Sequence, residues 1–241
     1  MIGFHVELED EYQDFLSLLV QANVKVIKLH IPLEARSKDV GEVCRFLYKN
    51  KIKAYVSIFG VHQEEVQHDP IFPYILERNK LFGRYEEVLR WIKPITPIIG
   101  IGLIDNVHRL IKVKGHGFSR REVKDIVRQM IDLVGGEFPT VLNCRDEDLS
   151  SGHWGGIDCD IYDVKGTTTP KDRKKPVWVS DIRVEKGFIT KSQKLKILDA
   201  AKKCRSENTF IYSRDVDGFC WGDVIRGMNF NEEDIRSYKA K

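Results

Sequence analysis

The sequence predicts a single-domain α/β protein over residues 1–241, a TIM (β/α)8 barrel with short or missing helices around strands 5–7. Three observations predict it. About eight apolar, β-branched segments recur along the chain, and amphipathic stretches separate most of them. The length also suits that barrel, for which ~250 residues is typical. An open doubly wound sheet is the competing architecture, and the lack of a glycine-rich phosphate loop after the first strand counts against it.

The elements follow in order. Ile2 to Leu8 reads as strand 1, and Tyr12, Phe15, Leu16, Leu19 and Val20 form one helical stripe after it. Val24 to Ile31 is strand 2, followed by a helix marked by Val40, Val43, Phe46 and Leu47 that ends near Asn50. Ile52 to Phe59 supplies strand 3. Beyond an irregular stretch with Pro70 and Pro73, Tyr85 to Lys93 reads as helix and Ile98 to Ile104 as strand 4. Phe72, Tyr74 and Phe82 in this region suit a lid or a satellite core. Ser119, with Glu122 three residues on, marks the start of a helix running to about Val134, and strand 5 spans Thr140 to Cys144. Ile157 to Tyr162 and Pro176 to Ile182 read as strands 6 and 7, each preceded by a short polar stretch. Lys191 to Lys203 is a helix, Thr209 to Tyr212 strand 8, and Glu232 to Tyr238 a closing helix.

Composition narrows the function classes. With 39 basic and 36 acidic side chains, the formal charge of +3 gives no argument for a nucleic-acid or membrane partner. The basic run from Lys171 to Lys175 reads as a solvated loop. Lys25, Lys28, Lys53 and Asp105 interrupt the best candidates for a membrane span. The start carries no signal-peptide pattern, and the five cysteines are an odd number without a CxxC pair. A cytoplasmic location with reduced thiols is the expectation, and the oligomeric state is left open.

Chemistry in such a barrel sits at the carboxyl ends of the strands. His5, Glu7 and Glu9 stand there on strand 1, His30 and Glu34 on strand 2, His62 after strand 3, and Asp105, Asn106 and His108 after strand 4. Strand 5 adds Asn143, Arg145 and Asp146, strand 6 Asp158, Asp160, Tyr162 and Asp163, strand 7 Asp181 and Arg183, and strand 8 Arg214, Asp215 and Asp217. Asp105 and Asp181 each follow directly on an apolar strand, where a carboxylate facing the mouth would be partly desolvated. Trp154 lies in SGHWGG, whose glycines suit either a tight turn or close approach of a ligand.

Several segments together carry a family pattern. EDEYQDFLSLLVQANVKVIKLHIPLE, GLIDNV, GGIDCDIYD and KPVWVSDIRVEKGFITKSQKLKILDAA resemble the retaining glycoside hydrolases of clan A over nearly the whole chain. The resemblance implies that Lys28 stands where the family usually carries arginine and Asp181 where it presents the nucleophilic glutamate. Aligned without a gap, Asp105 falls on the family's asparagine and Asn106 on its acid/base glutamate; a one-residue slip puts Asp105 on the acid instead. Tyr162 matches the tyrosine that contacts the nucleophile. Arg214 replaces the sugar-stacking tryptophan, leaving Trp221 as its substitute. Retaining hydrolysis needs two carboxyl groups roughly 5 to 5.5 Å apart, and a pair of aspartates drifts toward the roughly 6.5 to 9.5 Å of inverting enzymes.

Three functions follow. The first is a glycosidase with Asp181 as nucleophile or base, Asp105 as acid, Tyr162 supporting Asp181, and Trp154 or Trp221 stacking on a sugar. Asn106, His5, Glu7, His30, His62 and Arg214 would complete its substrate site. The second is a sugar-binding or structural descendant without turnover. The third is a divalent-metal barrel enzyme drawing on His5, Glu7, His30, His62, Asp105 and Asp181, but no HxH or HExxH motif supports it. A carbohydrate ligand is therefore expected, with no cofactor and no metal.

Overall fold

The computed structural model describes residues 1–8, 12–21, 23–63, 65–93, 97–111, 117–165, 175–183 and 208–212. Eight parallel strands close in chain order, with β8 returning to pair with β1. They are β1 (Ile2–Glu7), β2 (Val26–Ile31), β3 (Lys53–Ile58), β4 (Ile98–Gly102), β5 (Thr140–Cys144), β6 (Ile161–Lys165), β7 (Val177–Arg183) and β8 (Thr209–Tyr212). Closure excludes the open doubly wound sheet.

Helices α1 (Tyr12–Gln21), α2 (Ser37–Lys49), α3 (Phe72–Leu76), α4 (Arg78–Ile92), α5 (Arg120–Val134) and α6 (Asp146–Ser150) lie between the strands. α5 forms as its sequence requires. The Ser119 side chain accepts from the Glu122 backbone, the Glu122 side chain accepts from the Ser119 backbone, and Gly135 ends the helix in the left-handed region. Val123, Ile126, Val127, Met130 and Val134 form its buried stripe. α4 starts at Arg78, seven residues before the expected Tyr85. Phe72, Tyr74 and Phe82 pack against the main core, so this region is a satellite of that core. Between β5 and β6 the chain forms only the five residues of α6, in line with the expected thinning of helices. The expected helices at Lys191–Lys203 and Glu232–Tyr238 lie outside the described residues.

The barrel interior is layered because alternate residues of each strand point inward. Val26, Tyr55, Val141, Ile161, Trp178 and Phe210 pack as one inner cluster. Gly100 makes room for it: a Cβ there would stand 2.7 Å from Val141 Cγ2 and 3.0 Å from the Trp178 ring. One step toward the carboxyl ends, the same alternation delivers Lys28, Ser57, Asn143, Asp163 and Ser180, all buried. Apolar floor and polar storey thus come from one strand register.

β6 is displaced from its expected position at Ile157 to Tyr162. Ile157 and Cys159 are buried as an apolar alternation would suggest, but Asp160 accepts hydrogen bonds from the Thr140 backbone (2.7 Å) and hydroxyl (2.8 Å). That bond pins the run-in to the start of β5, and strand pairing begins only at Ile161. Among the described residues, no helix is long and apolar enough to cross a membrane.

Candidate functional site

The site is built around a lysine that the barrel encloses completely. In β2, VIKLHI, alternation turns Val26, Lys28 and His30 to the interior, and the register sets Lys28 beside His5 and Tyr55. The Lys28 ammonium lies 3.0 Å from Asp105 Oδ2, 3.0 Å from Asp163 Oδ2 and 3.4 Å from Ser180 Oγ. Asp163 Oδ2 also accepts from the Tyr55 hydroxyl at 3.1 Å and the Asn143 amide at 2.9 Å. Asn143 Oδ1 in turn accepts from the Asn106 backbone at 2.9 Å, which holds Asn106 in a left-handed turn at φ 57°. Burying an ammonium costs several kcal/mol unless partners compensate it. Here two carboxylates do.

Toward the mouth stands a second group. His5 and His30 rings lie 6.1 Å apart, and His30 and His62 rings 5.2 Å. His30 Nδ1 is 3.8 Å from Asp105 Oδ2, and neither His30 ring nitrogen makes a hydrogen bond among the described residues. Burial drives the His30 pKa down to about 4, outweighing the opposing pull of Asp105, so the imidazole is neutral near pH 7. Gly60 permits this convergence. A Cβ there would meet His30 Cε1 at 3.0 Å, Asp105 Cβ at 3.2 Å and His62 Nε2 at 3.2 Å. The Asp105 backbone is tied on both sides to the segment that follows β3, its N–H donating to the Phe59 carbonyl and its carbonyl accepting from the Val61 N–H.

Solved structures share this barrel. A β-mannanase from the blue mussel Mytilus edulis superposes with a TM-score of 0.66 at 11% identity, over 96% of this chain and 92% of that one. A β-1,4-mannanase from the sea hare Aplysia kurodai gives 0.65 at 11%, over 90% and 84%. A D-psicose 3-epimerase from Clostridium cellulolyticum H10 gives 0.59 at 11%, over 96% and 98%. The chain shares the closed eight-stranded barrel of these enzymes. No protein-family model matches it, and no curated protein sequence does.

In this barrel, His5, Glu7, His30, His62, Asp105 and Asn106 gather at the carboxyl ends of β1 to β4. Two expected residues stand elsewhere. Tyr162 faces the outer layer: it packs against the main core and hydrogen-bonds Cys159, while its neighbour Asp163 takes the inward position. Burial raises its hydroxyl pKa to about 12. Trp154 is also a core residue, 3% exposed, in a turn that Lys124 and Arg128 of α5 fasten through the Gly155 and Gly156 carbonyls. Neither is positioned as a ligand contact. The Asp181 backbone lies in β7, where pairing with β8 shifts register between Val179 and Ile182; its side chain is outside the described set. Arg214, Trp221 and the run 171–174 lie outside the described residues.

Sequence reasoning missed Lys28 as the hub, along with Tyr55, Ser57 and Ser180. A signal existed: a charged residue in the middle of an apolar strand, in phase with His30 two residues on.

Proposed function

We propose that this barrel binds a carbohydrate at its mouth and does not hydrolyse it through an Asp105 and Asp181 pair. The observation that carries the reading is the Lys28 ammonium 3.0 Å from Asp105, a residue only 5% exposed. A general acid must hold a proton when the ligand arrives, whereas a buried ammonium at contact distance favours the ionised carboxylate. On the gap-free alignment the acid position is Asn106, whose amide is no proton donor for a leaving group. Loss of a general acid removes something like 10² to 10⁴ in rate.

The carbohydrate half of the reading is supported by the glycoside hydrolase-like barrel and by the donor and acceptor groups at its mouth. Glu7 and Asn106 are half-buried and His62 is exposed, so all three can meet the hydroxyls of a sugar. Manno-oligosaccharides are the first ligands to try, since two of the similar barrels are mannanases.

The test pairs calorimetric titration of the purified chain with manno-, gluco- and xylo-oligosaccharides against a hydrolysis screen on aryl glycosides. Binding without turnover, weakened in His62→Ala and Asn106→Ala, is the expected result. Turnover that disappears in Asp181→Asn would restore the hydrolase, and failure to bind any sugar would remove the carbohydrate.

A further inference from the structure

We propose that His5, His30 and Asp105 form a binding site for one divalent first-row metal ion, zinc before others. Each residue can present one ligand atom, and these atoms lie within 4.8 Å of one another, all in buried side chains. Around a tetrahedral zinc with bonds of roughly 2.0–2.1 Å, neighbouring ligand atoms stand roughly 3.3–3.5 Å apart. The three need to draw in by about 1.5 Å at most, which side-chain rotation supplies. They rise from β1, from β2 and from the residue bridged to Gly60 after β4, so the backbone under them is rigid.

A second observation points the same way. Both ring nitrogens of His30 are buried without a hydrogen-bond partner among the described residues, and the side chain is 3% exposed. Leaving a buried polar group without a partner is unfavourable, because the group has lost its water and gained nothing in exchange. A metal ion takes up one nitrogen directly and polarises the ring for water or a ligand at the other.

Lys28 is the obvious objection, since its ammonium touches Asp105. The charges nevertheless balance. Asp163 offsets Lys28 at 3.0 Å, and Glu7 joins Asp105 as a negative charge acting on His30, so two carboxylates remain to face a dication. Asp105 Oδ2 lies 3.0 Å from the ammonium and 3.8 Å from His30 Nδ1, so one carboxylate faces both sides. Two imidazoles and one carboxylate leave a fourth position open on a tetrahedral ion, the arrangement of reactive rather than structural zinc sites. The His62 ring stands 5.2 Å from that of His30. The inference stands independently of the carbohydrate reading, because it concerns ion uptake by the free protein.

The experiment is titration of the whole chain, stripped with EDTA and dialysed, with zinc chloride by calorimetry, and with cobalt chloride followed by visible d–d absorption. About one equivalent per chain is expected, with a tetrahedral cobalt spectrum. His30→Ala and His5→Gln should each weaken zinc by more than the roughly 10- to 100-fold that loss of a mere supporting group costs. His68→Ala, an exposed histidine paired with Glu65 outside the cluster, should leave uptake unchanged. Circular dichroism checks that each variant is folded, and His5→Gln serves if His30→Ala is not. Substoichiometric uptake, or uptake that survives both ligand substitutions, overturns the site.

Discussion

Replacing Lys28 with methionine tests the ion cluster at the centre of the barrel. The side chain is fully buried, its ammonium is 3.0 Å from each of two carboxylates, and methionine nearly matches its length without the charge. The substitution leaves Asp105 and Asp163 facing each other across a space that no cation fills. Asp163 keeps its bonds from Tyr55 and Asn143, but those neutral donors replace only part of what an ammonium supplies. Removing one partner of a buried ion pair typically costs 3–5 kcal/mol, against a total stability of about 5–15 kcal/mol for a domain. Urea unfolding followed by circular dichroism should therefore show Lys28→Met destabilised by about 3–5 kcal/mol. Adding Asp163→Asn should recover part of that loss, since it removes one of the stranded charges. A Lys28→Met variant within about 0.5 kcal/mol of the parent would place it among ordinary surface substitutions and refute the reasoning.

Other consequences are simpler to measure. His30 binds its proton less readily in the folded chain, with a pKa of about 4, than at its ordinary value of 6.5. Its contribution to stability is thus complete above pH 6.5 and is lost as pH falls from 6.5 to 4, about 3 kcal/mol in all. Urea midpoints in metal-free buffer across that window should fall more steeply for the parent than for His30→Gln, and equal slopes would contradict the assignment. Gly100→Ala forces a methyl to 2.7 Å from Val141 and 3.0 Å from Trp178, so about 1–3 kcal/mol of stability and a change in tryptophan fluorescence are expected. Ser119→Ala removes the cap of α5 and should cost about 1 kcal/mol in the same unfolding assay, with the barrel otherwise unchanged.

Legibility in the sequence tracked how local the cause was. The capping box of α5 and the apolar run of β2 declare themselves within a dozen residues, and both formed where expected. β6 was misplaced because its start depends on a bond that the Asp160 carboxylate accepts from Thr140, twenty residues away, which no periodicity contains. Tyr162 was named because the resemblance set it on the family's tyrosine, whereas in β6 a one-residue step exchanges the two faces and Asp163 takes the inward one. Asp105 and the histidines were legible as polar ends of apolar strands. The hub was not, because the partners of Lys28 on β6 and β7 lie 135 and 152 residues further along the chain.

That separation bears on how the molecule comes into being. A ribosome delivers β1 to β4 long before Asp163 and Ser180 exist, and during that interval Lys28 has no Asp163 with which to enter a closed interior. A half-barrel would have to hydrate the ammonium or lean on Asp105 alone, so the early strands gain little by settling before the late ones arrive. β8 must also seal β1, a pairing that joins the two ends of the barrel, and such long-range closure is slow because a distant loop must close before the pairing rewards it. The buried lysine thus acts as a check on completeness: truncated chains ending before β6 should be recognised as unfinished, by chaperones and proteases alike.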